Sequence, residues 1–313
     1  MNSAVSFFSR PTPIDSAPRL ARAIGLDAGR LLIKRDDLIG LGGGGNKVRK
    51  LEITISAALA AGASTVITTG APQSNHARLT AAAAARCGLR SVLVLEGEAP
   101  SRLQGNLLLD ELFGAEIVFA GNREAATVAA EQASSPGAFL IPFGGTSAAS
   151  AVAYQRAGEE LLSQVPDLGV VVVAVGSGGT MAGLAAALGT SRVLGVATGA
   201  VADAHATVSS LMTEMGMPAE GLRIDDSQIG EGYQYLTTAV RQAMTLTART
   251  EGIVLDPTYT GRAMAGLIAA ASTDVTPPGR VVFLHTGGLP GLFGHPDLHD
   301  GGSADAARVP MAP

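Results

Sequence analysis

Short apolar runs of strand length alternate along this chain with longer stretches of helical periodicity, and this alternation narrows the possible folds. The apolar runs are nearly continuous in Val, Ile and Leu and lie at 31–35, 65–69, 91–95, 170–175, 193–197 and 280–284. The helical patterns lie at 47–61, 75–87, 103–112, 151–162, 181–188 and 261–271. Strands that are apolar on both sides belong to parallel sheets covered by helices. The sequence therefore predicts an α/β protein with mostly parallel sheets.

Length and charge restrict the possible functions. With 313 residues, 47% of them hydrophobic, the chain can bury a large core and can form two domains. A net charge of −5 without any basic block argues against binding to nucleic acid or to a membrane surface. The single cysteine, Cys87, permits no internal disulfide, and no segment resembles a signal peptide or a membrane span. We therefore expect a cytoplasmic protein.

Four glycines at 42–45 lead directly into the predicted helix that begins with Lys47. Glycine allows close approach of the backbone to a ligand, and a helix N-terminus favours an anion. The only lysines in the chain are Lys34, Lys47 and Lys50, and lysine, unlike arginine, can form an imine with a carbonyl cofactor. A Walker A loop is excluded because Val48 follows Lys47. Lys47 is the candidate nucleophile, and a flexible loop with a surface lysine is the alternative.

Two further segments connect a predicted strand to a predicted helix. Ser74 and Asn75 follow the strand at 65–69 and can cap the next helix, a position that also binds ligands in open α/β sheets. The glycine-rich segment 176–180 follows the strand at 170–175. It lacks the third glycine of the dinucleotide pattern because Met181 stands there, so it indicates a cradle for a single phosphate.

The segments 256–261 and 285–288 each follow an apolar run and are expected at the carboxyl edge of a sheet. Tyr259 lies in the first of them, and Tyr233 is a second candidate because the chain has only four tyrosines. His295, Asp297 and His299 are interpreted as part of a solvated tail, without supporting metal ligands elsewhere, so no metal site is expected.

Together these segments resemble the fold-type II pyridoxal-phosphate enzymes, and among them the family of D-cysteine desulfhydrases and 1-aminocyclopropane-1-carboxylate (ACC) deaminases. The resemblance extends from about residue 33 to residue 294. It implies a tryptophan synthase β-like fold of two three-layer domains with mostly parallel sheets. The larger, cofactor-binding domain would comprise 1–51 and 161–313, and the smaller, inserted domain 52–160. The resemblance also implies a homodimer.

The resemblance implies a role for each motif residue. Lys47 would form the Schiff base with pyridoxal 5′-phosphate and act as the base. The other predicted cofactor contacts are Lys50, Asn75, Gly176, Ser177, Gly178, Gly179, Thr180 and Thr286. The other predicted catalytic residues are Ser74, Tyr233 and Tyr259, and the predicted contacts to a small amino-acid substrate are Ser74, Asn75 and His76.

Two positions favour one branch of this family. The resemblance implies a glutamate after the second tyrosine and a leucine at the pyridine-facing position in ACC deaminases, where this chain has Thr260 and Thr286. The main expectation is therefore a D-cysteine desulfhydrase, which releases pyruvate, sulfide and ammonia, and the alternative is an ACC deaminase. The segment 234–236, Gln-Tyr-Leu, departs from the family's Gly-Val/Ile-Pro, which leaves open a lyase for another β-substituted amino acid such as cysteate.

Two hypotheses from other classes compete with this interpretation. A nicotinamide-dependent oxidoreductase would need the dinucleotide glycine pattern, which this chain lacks. A non-catalytic pyridoxal-binding protein is compatible with the fold, because a fold alone does not establish turnover.

Overall fold

The computed structural model describes residues 5–273 and 277–299, which form two sheets. Their strands are β1 (Ile14–Ser16), β2 (Leu31–Arg35), β3 (Thr65–Gly70), β4 (Arg90–Leu95), β5 (Glu116–Phe119), β6 (Ala138–Ile141), β7 (Leu168–Val175), β8 (Val193–Ala197), β9 (Arg223–Asp225) and β10 (Arg280–His285). Their helices are α1 (Pro18–Ala23), α2 (Lys47–Ala60), α3 (Asn75–Arg86), α4 (Asn106–Leu112), α5 (Arg123–Gln132), α6 (Ala148–Gln164), α7 (Gly179–Leu188), α8 (Ala204–Glu214), α9 (Thr238–Glu251), α10 (Thr260–Ser272), α11 (Leu289–Leu292) and α12 (Pro296–His299).

The two sheets divide the chain into a discontinuous part and an inserted part. The six-stranded sheet has the order β1-β2-β10-β7-β8-β9, and only the pair β1–β2 is antiparallel. The four-stranded sheet has the order β5-β4-β3-β6 and is wholly parallel. All four of its strands lie between residues 65 and 141, inside the chain that forms the larger sheet. The two-domain α/β architecture is confirmed, and the boundaries at 51/52 and 160/161 stay a prediction.

The most apolar strands form the centre of the larger sheet. All eight residues of β7 are buried, and its alternate side chains enter two separate apolar cores on the two faces. A strand covered on both faces needs apolar side chains at every position, so the unbroken valine run of the sequence is explained. Among the helices that the structure describes, none combines the length and apolar content needed to cross a bilayer.

Two sequence interpretations are wrong. The apolar run at 253–255, which the placement of 256–261 at a sheet edge took as strand-like, forms no strand. Ile253 and Leu255 instead enter the core beside the larger sheet. His295 is buried rather than part of a solvated tail, with 6% of its surface exposed. Residues 300–313, which the tail interpretation also covered, lie outside the described residues.

A buried network of charges connects the start of α2 to β2, to the segment that follows β2 and to α6. The Arg49 guanidinium donates to Asp36, at 2.8 and 2.9 Å, and to both carboxyl oxygens of Glu160 on α6, at 2.9 and 3.1 Å. The Lys34 amine on β2 donates to Glu160 at 2.5 Å, and the Tyr154 hydroxyl donates to Asp36 at 2.5 Å. These bonds to Arg49 and Lys34 outweigh burial and lower the pKa of Glu160 to about 2.

Replacing Glu160 with glutamine should destabilise the fold, because it leaves the buried cations Lys34 and Arg49 short of a counter-charge. The expected loss at pH 7 is about 3–5 kcal/mol of unfolding free energy. Since the native pKa of Glu160 lies below its unfolded value, the wild type should lose this contribution as pH falls from about 4.3 towards 2. Urea unfolding of Glu160→Gln at pH 7 and at pH 3 measures both effects. The exposed neighbour Glu159→Gln is the control, and an equal loss in both variants would contradict the prediction.

Candidate active site

One pocket lies where the carboxyl ends of strands from both sheets meet. Its walls include the loops that follow β3, β7 and β10, which is where ligands bind in open parallel sheets. The lining residues are Asn46, Lys47, Ala71, Ser74, Asn75, His76, Arg123, Phe143, Gly144, Ala174, Gly176, Ser177, Gly178, Thr180, Ala200, Tyr233, Tyr259 and Thr286. The structure thus brings eleven of the predicted site residues into one place. Lys50 and Gly179, the other two, lie directly behind this wall.

Lys47 is the first residue of α2 and reaches the pocket wall from there. The position of that helix start is set by Asn46, whose backbone N–H donates to the Thr286 carbonyl at 3.0 Å and whose side-chain amide donates to the Thr180 hydroxyl at 3.0 Å. Burial lowers the pKa of Lys47 to about 8. A tenth of such an amine is neutral near pH 7, so it can act as a nucleophile or a base.

The segment 176–180 forms an anion cradle at the start of α7. A Cβ on Gly179 would lie 2.7 Å from the Lys50 amine, so the backbone there approaches the cation closely. The Lys50 amine is buried and donates to the Thr146 hydroxyl at 2.9 Å, and Thr146 lies 2.6 Å from the Ser177 hydroxyl. Burial and the charge of Lys47 lower the pKa of Lys50. Among the described residues no carboxylate lies within ion-pair distance of Lys50, so a phosphate would supply the missing negative charge.

The start of α3 presents Ser74 and Asn75 to the same pocket. Ser74 caps the helix by accepting from the Ala77 N–H at 3.2 Å, and it lies on the pocket wall, so the cap and the ligand-binding position coincide. His76 is buried, with its Nε2 atom 2.9 Å from the Thr68 hydroxyl. Because Thr68 donates its proton to the Ile141 carbonyl at 3.0 Å, His76 must be the donor through Nε2. Burial and the charges of Lys47 and Lys50 lower the pKa of His76, so its imidazole is neutral.

Tyr233 and Tyr259 also line this pocket and form a hydrogen-bonded pair, with their hydroxyl oxygens 2.5 Å apart. Burial raises the pKa of Tyr233 to about 12 and raises that of Tyr259 well above its usual value, so both are protonated near neutral pH. Asp256 fixes the backbone of Tyr259 by accepting its N–H at 2.8 Å, and it accepts the hydroxyl of Thr260 at 2.6 Å. The Thr260 side chain is therefore committed to Asp256 and does not line the pocket.

The sequence analysis did not predict Arg123, Phe143 or Thr146 as residues of this site. Arg123 at the start of α5 donates to Glu96 at 2.9 Å and to the Ala200 carbonyl at 2.8 Å, and its guanidinium lies over the Phe143 ring. It thereby bridges the two sheets at the pocket. Phe143 and Thr146 belong to the loop after β6, where two successive glycines at 144 and 145 were an available signal. No pattern in the sequence marked Arg123.

The fold and this pocket define an α/β enzyme that holds an anionic cofactor beside a reactive lysine. A family model for pyridoxal-phosphate dependent enzymes matches residues 5–287. The chain therefore belongs to the pyridoxal-phosphate dependent enzymes, and its cofactor is pyridoxal 5′-phosphate. The buried Lys50 without a carboxylate, the cradle at 176–180 and the Lys47 amine with its lowered pKa fit the phosphate and the carbonyl of this group.

Three individual proteins show which pyridoxal-phosphate dependent enzymes this chain resembles. A protein of Pyrococcus abyssi (strain GE5 / Orsay), named "putative 1-aminocyclopropane-1-carboxylate deaminase", is 41% identical over 307 residues, or 90% of each chain. A protein of the same name from Pyrococcus horikoshii is 37% identical over 305 residues, or 91% of this chain and 92% of its own. The crystal structure of an ACC deaminase homologue matches with a TM-score of 0.86 and 36% identity, covering 94% of both chains.

Removing the buried cation behind the cradle should weaken cofactor binding. Lys50→Met leaves the shape of the site but removes a charge-assisted contact worth about 1.5–3 kcal/mol, so the Kd for pyridoxal phosphate should rise roughly tenfold to a hundredfold. Fluorescence titration of the apoprotein measures this Kd. Arg156→Met, which removes an exposed cation from α6, is the control. An unchanged Kd in Lys50→Met would mean that the phosphate does not bind at this cradle.

Proposed function

We propose that this protein is a lyase that releases ammonia from a small α-amino acid, and that ACC is its substrate. The observation that carries the proposal is that one pocket holds both the Lys47 amine, with a pKa of about 8, and the hydroxyl pair of Tyr233 and Tyr259. The names of the Pyrococcus relatives and of the homologous crystal structure support ACC as the substrate. A deaminase of this kind would yield 2-oxobutyrate and ammonia.

Some residues of the pocket would bind the cofactor and the substrate, and others would transfer protons. Bound pyridoxal phosphate supplies an electron sink for the bonds at the α-carbon of an amino acid. Lys50, Ser177 and Thr180 would hold its phosphate at the start of α7, and Thr286 lines the pocket just after the end of β10. A hydroxyl in place of a carboxylate at this wall does less to keep a pyridine nitrogen protonated.

Lys47 and the tyrosine pair line the same pocket from different elements, so the pocket contains two separate groups that can move protons. The Lys47 amine accepts a proton when it is neutral, which its lowered pKa allows near neutral pH. Tyr233 and Tyr259 stay protonated and share one hydrogen bond, so one hydroxyl can donate a proton while the other stabilises the remaining charge. Ser74, at the N-terminus of α3, offers its hydroxyl to the carboxylate of the amino acid.

A second candidate function is the desulfhydration of D-cysteine, which the sequence favoured. Thr286 lines the pocket, and no carboxylate is among the lining residues. Thr260 stands where the resemblance implies a glutamate in ACC deaminases, and its hydroxyl is held by Asp256. These two observations support D-cysteine, whereas the names of the relatives support ACC.

A competition assay separates the candidates. The holoenzyme is given ACC and D-cysteine together, and the keto acid is identified by mass spectrometry; 2-oxobutyrate is expected. Pyruvate with sulfide would reverse the assignment in favour of the desulfhydrase. A parallel assay with cysteate, scored by release of sulfite, tests the remaining β-eliminating lyase. Lys47→Ala is the negative control, and turnover by this variant would contradict the role of Lys47.

Tyr259→Phe should lower kcat on the preferred substrate by about a hundredfold to ten-thousandfold, because it removes the hydroxyl that donates the proton. The Kd for pyridoxal phosphate should stay within about threefold, since the phosphate contacts lie on other elements. Steady-state kinetics and a cofactor titration measure the two quantities. The exposed Tyr235→Phe serves as the matched control. A kcat within twofold of wild type would remove Tyr259 from proton transfer.

A further inference from the structure

A single buried guanidinium connects three segments around the candidate active site. Arg78 lies on α3, one turn after Asn75, and no part of its surface is exposed. Its Nη1 atom donates to the Asn75 side-chain carbonyl at 3.0 Å and to the Asn106 side-chain carbonyl at 2.7 Å. Its Nη2 atom donates to the backbone carbonyl of Gly44 at 2.6 Å. Arg78 thus joins the start of α3, the start of α4 and the glycine loop before Lys47.

These bonds decide which end of the Asn75 amide faces the ligand. A guanidinium only donates hydrogen bonds, so the atom of Asn75 that contacts Arg78 must be the carbonyl oxygen. The NH2 group of Asn75 is then left to donate, and Asn75 lines the pocket beside Ser74. The Asn75 side chain therefore offers an N–H donor to an acceptor group of the ligand.

The hydrogen bond from Arg78 to Gly44 restrains the backbone shortly before Lys47. Gly44 has a φ of +81°, and a Cβ there would lie 2.2 Å from the Asp37 carbonyl, so the loop has no room for a side chain. Asn46 follows two residues later and is tied to Thr286. The bond from Arg78 to the Gly44 carbonyl and the bond from the Asn46 N–H to the Thr286 carbonyl thus restrain the loop immediately before Lys47.

Asp110, one turn after Asn106 on α4, is the acidic group whose charge acts on Arg78. It is fully buried, and neither of its carboxyl oxygens has a hydrogen-bond partner among the described residues. Burial raises the pKa of Asp110 to about 7, and burial lowers that of Arg78 to about 10, while each charge opposes the shift of the other. The neighbouring carboxylates Glu111 on α4 and Glu116 on β5 are exposed, so Asp110 is the acidic group inside this cluster.

We propose that Arg78 is a positioning residue for the cofactor site: it orients the Asn75 amide and holds the Gly44 loop, and Asp110 supports its charge. The inference rests on the proposed function in taking the pocket around Lys47 as the place where pyridoxal phosphate reacts. It is independent of which amino acid is the substrate, because its test measures cofactor binding and needs no turnover.

The first test measures the Kd for pyridoxal phosphate by fluorescence titration of the apoprotein. Arg78→Met should raise this Kd about tenfold to a hundredfold, the cost of losing charge-assisted hydrogen bonds. Arg78→Lys should be intermediate, since lysine keeps the charge but not the fork that spans three acceptors. Asn75→Asp keeps a partner for Arg78 yet loses the N–H donor, so it should weaken binding while leaving the urea midpoint near that of the wild type.

The second test is a double-mutant cycle between Arg78 and Asp110. Asp110→Asn should raise the Kd about threefold to tenfold in the wild-type background and leave it unchanged in the Arg78→Met background, because coupled residues are not additive. Glu111→Gln, an exposed carboxylate on the same helix, is the control and should leave the Kd unchanged. If Arg78→Met does not fold, the cycle is run with Arg78→Gln, which also removes the charge.

Two results would overturn the proposal. One is a Kd in Arg78→Met or Arg78→Lys that equals the wild-type value in folded protein. The other is an equal effect of Asp110→Asn in both backgrounds. A failure of the ACC or D-cysteine assay would leave these titrations unaffected, so the two proposals fail separately.

Discussion

The buried charge network around Arg49 is the constraint on which the active site depends. Arg49 is bonded to Asp36 after β2 and to Glu160 on α6, so the first turn of α2 cannot rotate. Lys47 and Lys50, three residues apart, lie on another face of that same turn. Their charges repel, and the charge of Lys47 contributes to the lowered pKa of Lys50. The network thus keeps the Lys47 and Lys50 amines close together, and a bound anion would offset their repulsion.

The pocket is a property of the junction between the two sheets rather than of either one. The glycine-rich loop at 176–180 and the tyrosine pair belong to the larger sheet and its helices, whereas Ser74 and Asn75 follow β3 of the smaller sheet. Two arginines connect these parts: Arg123 reaches the Ala200 carbonyl, and Arg78 reaches the Gly44 carbonyl. Both connections end on backbone carbonyls, so neither hydrogen bond uses a side chain at position 200 or 44.

Predictions from the sequence succeeded where the physical signal was local. The valine run before the cradle and the alanine-rich stretch after Ser74 became β7 and α3, because continuous burial and helical periodicity are visible in a few residues. The segment 253–255 carried a similar apolar signal but forms no strand, and Ile253 and Leu255 pack into the core beside the larger sheet. His295 was interpreted as part of a tail and is buried. In both cases the deciding factor was a distant part of the chain.

The sequence by itself determined the fold class, because continuous burial and helical periodicity act within a few residues, and its resemblance to the pyridoxal-phosphate enzymes implied the cofactor. Eleven of the residues that the resemblance implied for the site line one pocket, and their roles stay a prediction. Only the tertiary structure decided which charges are paired. Lys34, one of three lysines, belongs to the Arg49 network, whereas Lys50 has no carboxylate within ion-pair distance in the described part of the chain and donates to Thr146. The charge of Asp110 acts on Arg78 from 32 positions away, and the Arg123 guanidinium lies over the Phe143 ring. Such pairings depend on the packing of whole elements, for which no short pattern exists.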